Sequence, residues 1–446
     1  MEPTTILFAP LSAWGHINSC LQIAKVLQSR HNCKIIFITN ETWAGKLVQY
    51  NFRHETYATS TAENNSQPIP SQNWTDLVKQ SGQEVMGQSS LQKITTFGYN
   101  AYKHMVDEVI QSDSQIKQIL ETLSTIKLIV IDNYILSPSL VKYCVDKCIP
   151  WVRLRSASPM EINQTNLPPQ NSGYSIKNPD LQAWDEFTQK QTETFSPLVA
   201  KFSTFFKEIY PPQELPLNDF IMDSPHLNLY MYPQSIDYTG IRPMPAKWER
   251  INAVVQDDDH EDEGYKFPEG WLSKSKNWKV ICLSLGTFGS ADLELMTNLI
   301  KMLAEYPAYF IVCTGPHHDT LKPLLGSNMS GESILPQVKV LAKIDAMICH
   351  GGNATVNECF YFGRPMILMP FFGDEYDNAQ RVHEEGLGIR LDPYKCTKNE
   401  LFAALGEVTG DEMMDQMKLI SSQIRQEGSG ADKAASLISE LLKTYN

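Results

Sequence analysis

No apolar run in the 446-residue chain approaches the ~20 residues that a membrane-spanning helix needs, and no CxxC pair occurs among its nine cysteines. An odd set of thiols scattered from Cys20 to Cys396 is neither a disulfide framework nor a zinc pattern, and it fits reduced thiols in a cytosol. The start of the chain lacks the basic and apolar sequence of a secretory signal. Its first Lys is Lys25, and Trp14, Gly15, His16 and Asn18 interrupt the first apolar stretch. The expectation is a cytoplasmic protein that no membrane holds, in which the sequons at Asn40, Asn64, Asn73, Asn163, Asn328 and Asn353 carry no glycan. Basic residues are also scarce. Thirty-eight Lys and Arg against 51 Asp and Glu give a formal charge of −13, which excludes a general affinity for nucleic acid or anionic membranes. A local anion site at a helix start survives that exclusion, because backbone amides supply it. A GxSxG nucleophile turn is absent as well.

What is present is length and ordinary composition. A chain of 446 residues, 42% of them apolar, exceeds one ordinary core and predicts two domains. Short β-branched runs at Thr5 to Ala9, Lys34 to Ile38 and Lys127 to Ile131 read as buried strands of a parallel sheet. Between the first two, Ile17, Cys20, Leu21, Ala24 and Leu27 recur at helical spacing, which predicts a crossover helix starting beside Gly15 and His16. A second series follows at Lys279 to Leu283, Ala308 to Val312, Ala346 to Cys349 and Pro365 to Met369. The fold class is therefore α/β, with two parallel sheets.

Residues 1–235 read as a first domain, 236–277 as a Pro-rich linker and 278–446 as a second domain, whose last helix is a candidate to pack back on the first. The acidic run Asp257 to Glu263 has no ligand spacing and reads as a solvated loop. So does the loop with Cys313, His317, His318 and Asp319. The segment from Glu161 to Pro216 is polar, then aromatic and helical around Phe195 to Phe206, and reads as a lid or insertion over the first domain.

The chemistry concentrates where strand Ala346 to Cys349 runs into His350, Gly351 and Gly352 and then a helix carrying Glu358. Two glycines permit close approach, and the amides of the following helix favour a diphosphate. After the next strand come Gly373, Asp374 and Glu375, carboxylates suited to accept from sugar hydroxyls.

The stretch PQVKVLAKIDAMICHGGNATVNECFYFGRPMILMPFFGDEYDN, starting at Pro336, resembles the donor-binding signature of the UDP-glycosyltransferase family over roughly forty residues. That resemblance implies the GT-B arrangement, two Rossmann-like domains facing each other across a cleft. It also implies that Gln337 belongs to the signature, that His350 and the Gly352 turn meet the diphosphate, that Glu358 holds the ribose hydroxyls, and that Asp374 and Glu375 grip the sugar. Thr287, in a turn after a strand, matches a small hydroxyl residue placed near the diphosphate. Three positions depart from the pattern. Ile334 stands where the family stacks Trp on uracil. Ala354 replaces an Asn in the helix start, so its phosphate contact is either missing or supplied by Asn353 or Thr355. Glu375 replaces a Gln. Two carboxylates at the sugar would repel glucuronate, so the co-substrate expected is UDP-glucose or another neutral UDP-hexose.

At the other end of the chain, Gly15 and His16 follow the first strand, where parallel sheets place ligand sites. The resemblance implies that His16 is the general base, a task that suits imidazole near pH 7, and that Asp132, at the end of its strand, stabilises the imidazolium. It implies a single displacement with inversion and no metal cofactor, onto a small lipophilic hydroxyl acceptor such as a phenolic or xenobiotic. Two other classes share these features: an epimerase or phosphorylase of the same fold, and a noncatalytic module that binds nucleotide sugars.

Overall fold

A computed structural model describes residues 3–45, 47–58, 72–210, 220, 222–255, 265–272 and 278–445. The first domain is built on seven parallel strands: β1 (Thr4–Pro10), β2 (Cys33–Asn40), β3 (Arg53–Tyr57), β4 (Ile126–Asp132), β5 (Trp151–Arg155), β6 (Leu227–Met231) and β7 (Trp248–Ile251). Their order is β3-β2-β1-β4-β5-β6-β7. The second has six: β8 (Val280–Ser284), β9 (Tyr309–Cys313), β10 (Met329–Glu332), β11 (Ala346–Cys349), β12 (Met366–Leu368) and β13 (Gly388–Arg390), ordered β10-β9-β8-β11-β12-β13. In each sheet the chain winds outward in one direction, returns to the middle and winds outward in the other. The reversals fall between β1 and β4 and between β8 and β11, and a crevice opens at such a point beyond the carboxyl ends of the strands.

The central strands are apolar on both faces because both faces are covered. Along β1, Ile6 and Phe8 join the core under helix Trp14–His31, while Leu7 and Ala9 join the core under helices Tyr99–Thr122 and Pro138–Lys147. Six strands, β3, β5, β6, β7, β10 and β13, carry no apolar run that marks them in the sequence. Strand β7 falls inside the 236–277 stretch read as linker. Its sequence Trp-Glu-Arg-Ile puts two charged residues in the middle of an edge strand, so only its pairing with β6 reveals it. The acidic run Asp257 to Glu263 lies outside the described residues. The segment after Glu161 divides in two. Helix Leu181–Ile209 sinks Phe202 and Phe206 into the first domain's core, whereas residues 171–177 reach the second domain.

The last helix, Gly430–Tyr445, returns to the first domain, where Ala431, Ala434, Ala435, Ile438 and Leu442 complete the core beneath helix Trp14–His31. Its start is pressed so tightly on the chain leaving β7 that a Cβ on Gly430 would lie 2.0 Å from the Asn252 carbonyl oxygen. Among the described residues no helix is long and apolar enough to cross a membrane. Gly430→Ala should therefore force this helix off its seat and destabilise the protein by about 1–3 kcal/mol, seen as a lower midpoint in chemical unfolding. A midpoint equal to that of the parent would disprove the tight seat.

Candidate active site

The two crevices face each other. Gly15 and His16 form the first turn of helix Trp14–His31, just beyond the carboxyl end of β1, and Asp132 ends β4 beside it, in register with Pro10. His16 Nδ1 lies 3.0 Å from Asp132 Oδ2. The pair is not aligned as a hydrogen bond, so the contact is a short electrostatic one. Asp132 is buried and held from behind: its Oδ2 accepts from Ser156 Oγ at 2.5 Å and its Oδ1 from the Ser156 amide at 3.3 Å. The Tyr134 ring meets the His16 ring edge-on at 5.6 Å, with the Arg155 guanidinium 4.3 Å from the Tyr134 centroid.

Across the cleft, β11 delivers His350, Gly351 and Gly352, and helix Asn353–Phe362 begins at once. Its first intrahelical bond is Val356 to the Gly352 carbonyl, and no side chain caps it. The amides of Asn353, Ala354 and Thr355 thus point out of the helix start, where an anion is favoured. A methyl placed on Gly15 would sit 3.6 Å from Ala354 Cβ, so the His16 turn and this helix start touch. The His350 ring rests against the Gly286 and Gly352 backbones. A Cβ on either would come within 3 Å of the ring, which requires glycine at both. Burial pulls the His350 pKa down to about 4, so the ring is neutral at pH 7 with one N–H to give. Its Nδ1 is buried without a protein partner.

Glu358, one helical turn farther in, is 6% exposed and accepts from Gln337 Nε2 at 2.6 Å. Gln337 also donates to Thr355 Oγ1 at 3.1 Å. Burial raises the Glu358 pKa to about 7, partly offset by the Gln337 hydrogen bond. Thr287 is exposed beside Gly286, and Ile334 is 84% exposed with no ring or chain packed over it.

Asp374 and Glu375 differ from the expected joint grip on a sugar. Asp374 starts helix Asp374–Glu384 and accepts from the Ser158 amide of the first domain at 2.9 Å. His16 lies within its electrostatic reach. Glu375 turns inward, accepting from the Phe371 and Phe372 amides at 2.7 and 3.1 Å, and burial lifts its pKa to about 8. Asn353 and Thr355, the side chains nearest to Ala354 that could take over a phosphate contact, are both engaged elsewhere. The Asn353 amide crosses the cleft to the carbonyls of Ser156 (2.9 Å) and Met231 (3.1 Å), and Thr355 serves Gln337. On the loop after β9, His317 and His318 hydrogen-bond to the Ala291 carbonyl and to Thr314.

Sequence reasoning missed Ser156, Ser158 and Arg155. Their signal was position: they end or follow β5, a parallel strand disguised by Arg153 and Arg155. It also missed Lys93 and Asp377. Asp377 accepts from the Asn171 and Gly173 amides at 2.7 and 3.0 Å, tying segment 171–177 to the second domain.

Residues 252–429 match the family model described as UDP-glucoronosyl and UDP-glucosyl transferase. Sterol 3-beta-glucosyltransferase of Kluyveromyces lactis is 28% identical over 225 residues, 47% of this chain and 18% of that protein. NDP-glycosyltransferase YjiC of Bacillus subtilis is 29% identical over 181 residues, 40% of this chain and 46% of that protein. Each match takes in less than half of the relative's own length. The crystal structure of the glycotransferase of kitacinnamycin superposes with a TM-score of 0.71 at 17% identity, covering 99% of this chain and 100% of that one, and so shares the GT-B fold.

Three buried carboxyls with large upward shifts contribute to the pH response. The pKa values of Glu358 and Asp377 are raised to about 7 and that of Glu375 to about 8, so the folded state keeps protons that the unfolded chain has lost above ~4.5. Stability therefore falls as pH rises through the folded values. His350 acts with the opposite sign only below its unfolded value of ~6.5, and Lys93, lowered to about 8, only above that pH. The melting temperature of the ligand-free protein should accordingly drop between about pH 6.5 and 8. Glu358→Gln should flatten that slope while weakening UDP binding, both measured by scanning calorimetry with and without UDP. An unchanged slope in the variant would rule out Glu358 as a source.

Proposed function

From the match of residues 252–429 to the UDP-glucoronosyl and UDP-glucosyl transferase model, we propose that the chain is a UDP-glycosyltransferase that moves a hexose, glucose first among candidates, from a UDP-sugar to a hydroxyl of a small lipophilic acceptor. The observation that carries this reading is the short His16–Asp132 contact set against the start of helix Asn353–Phe362. In this reading one group takes a proton from an acceptor, the other receives a departing diphosphate, and the sugar passes between them.

In this reading the acceptor lies against Tyr134, and His16 removes its hydroxyl proton. Asp132, fixed by Ser156, stabilises the imidazolium as it forms. The acceptor oxygen attacks the anomeric carbon opposite the UDP, giving inversion. Charge growing on the diphosphate meets the amides from Asn353 to Thr355 and the N–H of neutral His350, donors already in place before the reaction. Glu358, oriented by Gln337, receives the ribose hydroxyls, and Asp374 faces the sugar. Because amide dipoles and His350 supply the electrophilic side, turnover is proposed to need no metal and to persist in EDTA. Asp374 carries the case against glucuronate, since Glu375 is turned inward. A cytoplasmic setting suits the nine free thiols. A role in detoxifying phenolics or xenobiotics is the physiological form of this proposal.

His16→Ala should cut turnover by about 10²–10⁴-fold while leaving UDP affinity intact, with new glycosides detected by mass across a panel of phenols and alcohols. Asp132→Asn should cut it in the same direction. Formation of glycoside at the parent rate by His16→Ala would refute the assignment, and an epimerase or phosphorylase would release no glycoside at all. In competition between UDP-glucose and UDP-glucuronate, glucose transfer should dominate. A preference for glucuronate would overturn the donor assignment.

A further inference from the structure

Lys93 ends the four-residue helix Ser90–Lys93 of the first domain, yet its side chain runs into the second domain and is only 3% exposed. Its Nζ donates to the Phe371 carbonyl and to Tyr376 Oη, each at 2.9 Å. Tyr376 Oη in turn donates to the same carbonyl at 3.1 Å. On the other side of that residue, Glu375 Oε2 accepts from the Phe371 and Phe372 amides. The peptide groups around Phe371 are thus gripped from both sides, by an ammonium from one domain and a carboxyl from the other.

A buried ammonium is unfavourable unless it is paired and hydrogen-bonded. Burial does pull the Lys93 pKa down to about 8, with Glu375 holding it up. An apolar side chain would fill this space without that cost, so the structure spends the lysine on the loop it holds. That loop, residues 370–373, runs from the end of β12 into Asp374, the carboxylate that faces the His16 turn. Gly373 adopts φ 62° at the junction, and Glu375 bonds back to this loop, its amide to the Phe372 carbonyl and its carboxyl to the Phe371 and Phe372 amides, so the helix start that carries Asp374 is tied to Phe371.

We propose that Lys93 is a cross-domain positioning residue for the hexosyl group of the donor: it clamps the Phe371 carbonyl from the opposite domain and so fixes the loop that presents Asp374 to the sugar. It touches no reacting atom. The clamp forms only when the two domains are together, so it couples cleft closure to sugar recognition and leaves the uridine and diphosphate contacts alone. This rests on the donor reading above.

The test is equilibrium binding, by calorimetry, of UDP and of UDP-glucose to the parent protein, Lys93→Met and Tyr376→Phe. Lys93→Met should weaken UDP-glucose by about tenfold and leave UDP within about twofold, whereas a merely structural role would move both ligands together. Tyr376→Phe removes the hydroxyl partner without burying or removing a charge, and should shift the same ratio in the same direction by a smaller factor. If Lys93→Met does not fold, Tyr376→Phe decides. An unchanged ratio of the two affinities in the folded variants overturns the proposal, as does an equal loss of both ligands. A parent protein that binds UDP-glucose but transfers nothing refutes the transferase reading and leaves the clamp standing. A parent that binds neither nucleotide overturns both.

Discussion

Ser156 serves both halves of the cleft at once. Its hydroxyl and amide hold Asp132, and its carbonyl accepts from Asn353, the first residue of the helix that opens the diphosphate side. Neighbouring bonds repeat the pattern: the Ser158 amide to Asp374, Asn353 again to the Met231 carbonyl, and Tyr232 Oη to Asn378 at 3.0 Å. All of these groups are buried or half-buried, and a buried polar atom left without a partner loses its hydration for nothing. The domains therefore satisfy one another's polar atoms only in the closed arrangement. The bonds that close the cleft are the ones that set the distance from the imidazole to the helix start.

Much of the fold was legible because the central strands are buried on both faces and must be continuously apolar, as β1, β4, β8 and β11 are. Strands nearer the sheet edges meet solvent or polar neighbours, and β7, with Glu249 and Arg250, looks like linker until its pairing is seen. The same division holds for the site. His16, Asp132, His350 and Glu358 follow or border apolar strands, so their places could be read from chain order. Lys93, Ser158 and Asp377 act over 278, 216 and more than 200 positions of sequence respectively. No local pattern announces such a partner. Glu375 turns away from the cleft because adjacent carboxylates at a helix start project in different directions, one across the cleft and one back to its own loop.

Identical side chains take different roles according to what surrounds them. Glu358 and Glu375 are both buried and both have raised pKa values, yet one is steadied by a side-chain amide at the mouth of the site and the other by backbone amides behind it. The first lies one turn inside the helix that opens at Gly352, and the second holds a loop. The family match falls on residues 252–429, whereas the shared architecture extends over nearly the whole chain. The aromatic and arginine-lined wall near Tyr134 lies outside the matched stretch, so its shape must be read from this chain's own residues.

The polypeptide passes between its two halves twice, and at the same place. It leaves the first domain at Asn252 to Val255 and returns at Gly428 to Gly430, and the two passages are bound to each other. Asn252 Nδ2 donates to the Ile424 carbonyl at 2.8 Å, and the Gly430 amide donates to the Ala253 carbonyl at 3.2 Å. Paired straps at one edge behave like the spine of a book. They forbid sliding and leave swinging about that line as the motion that sacrifices the fewest bonds. Lys93, and Asp377 through the Asn171 and Gly173 amides, tie the two domains together at places other than these straps.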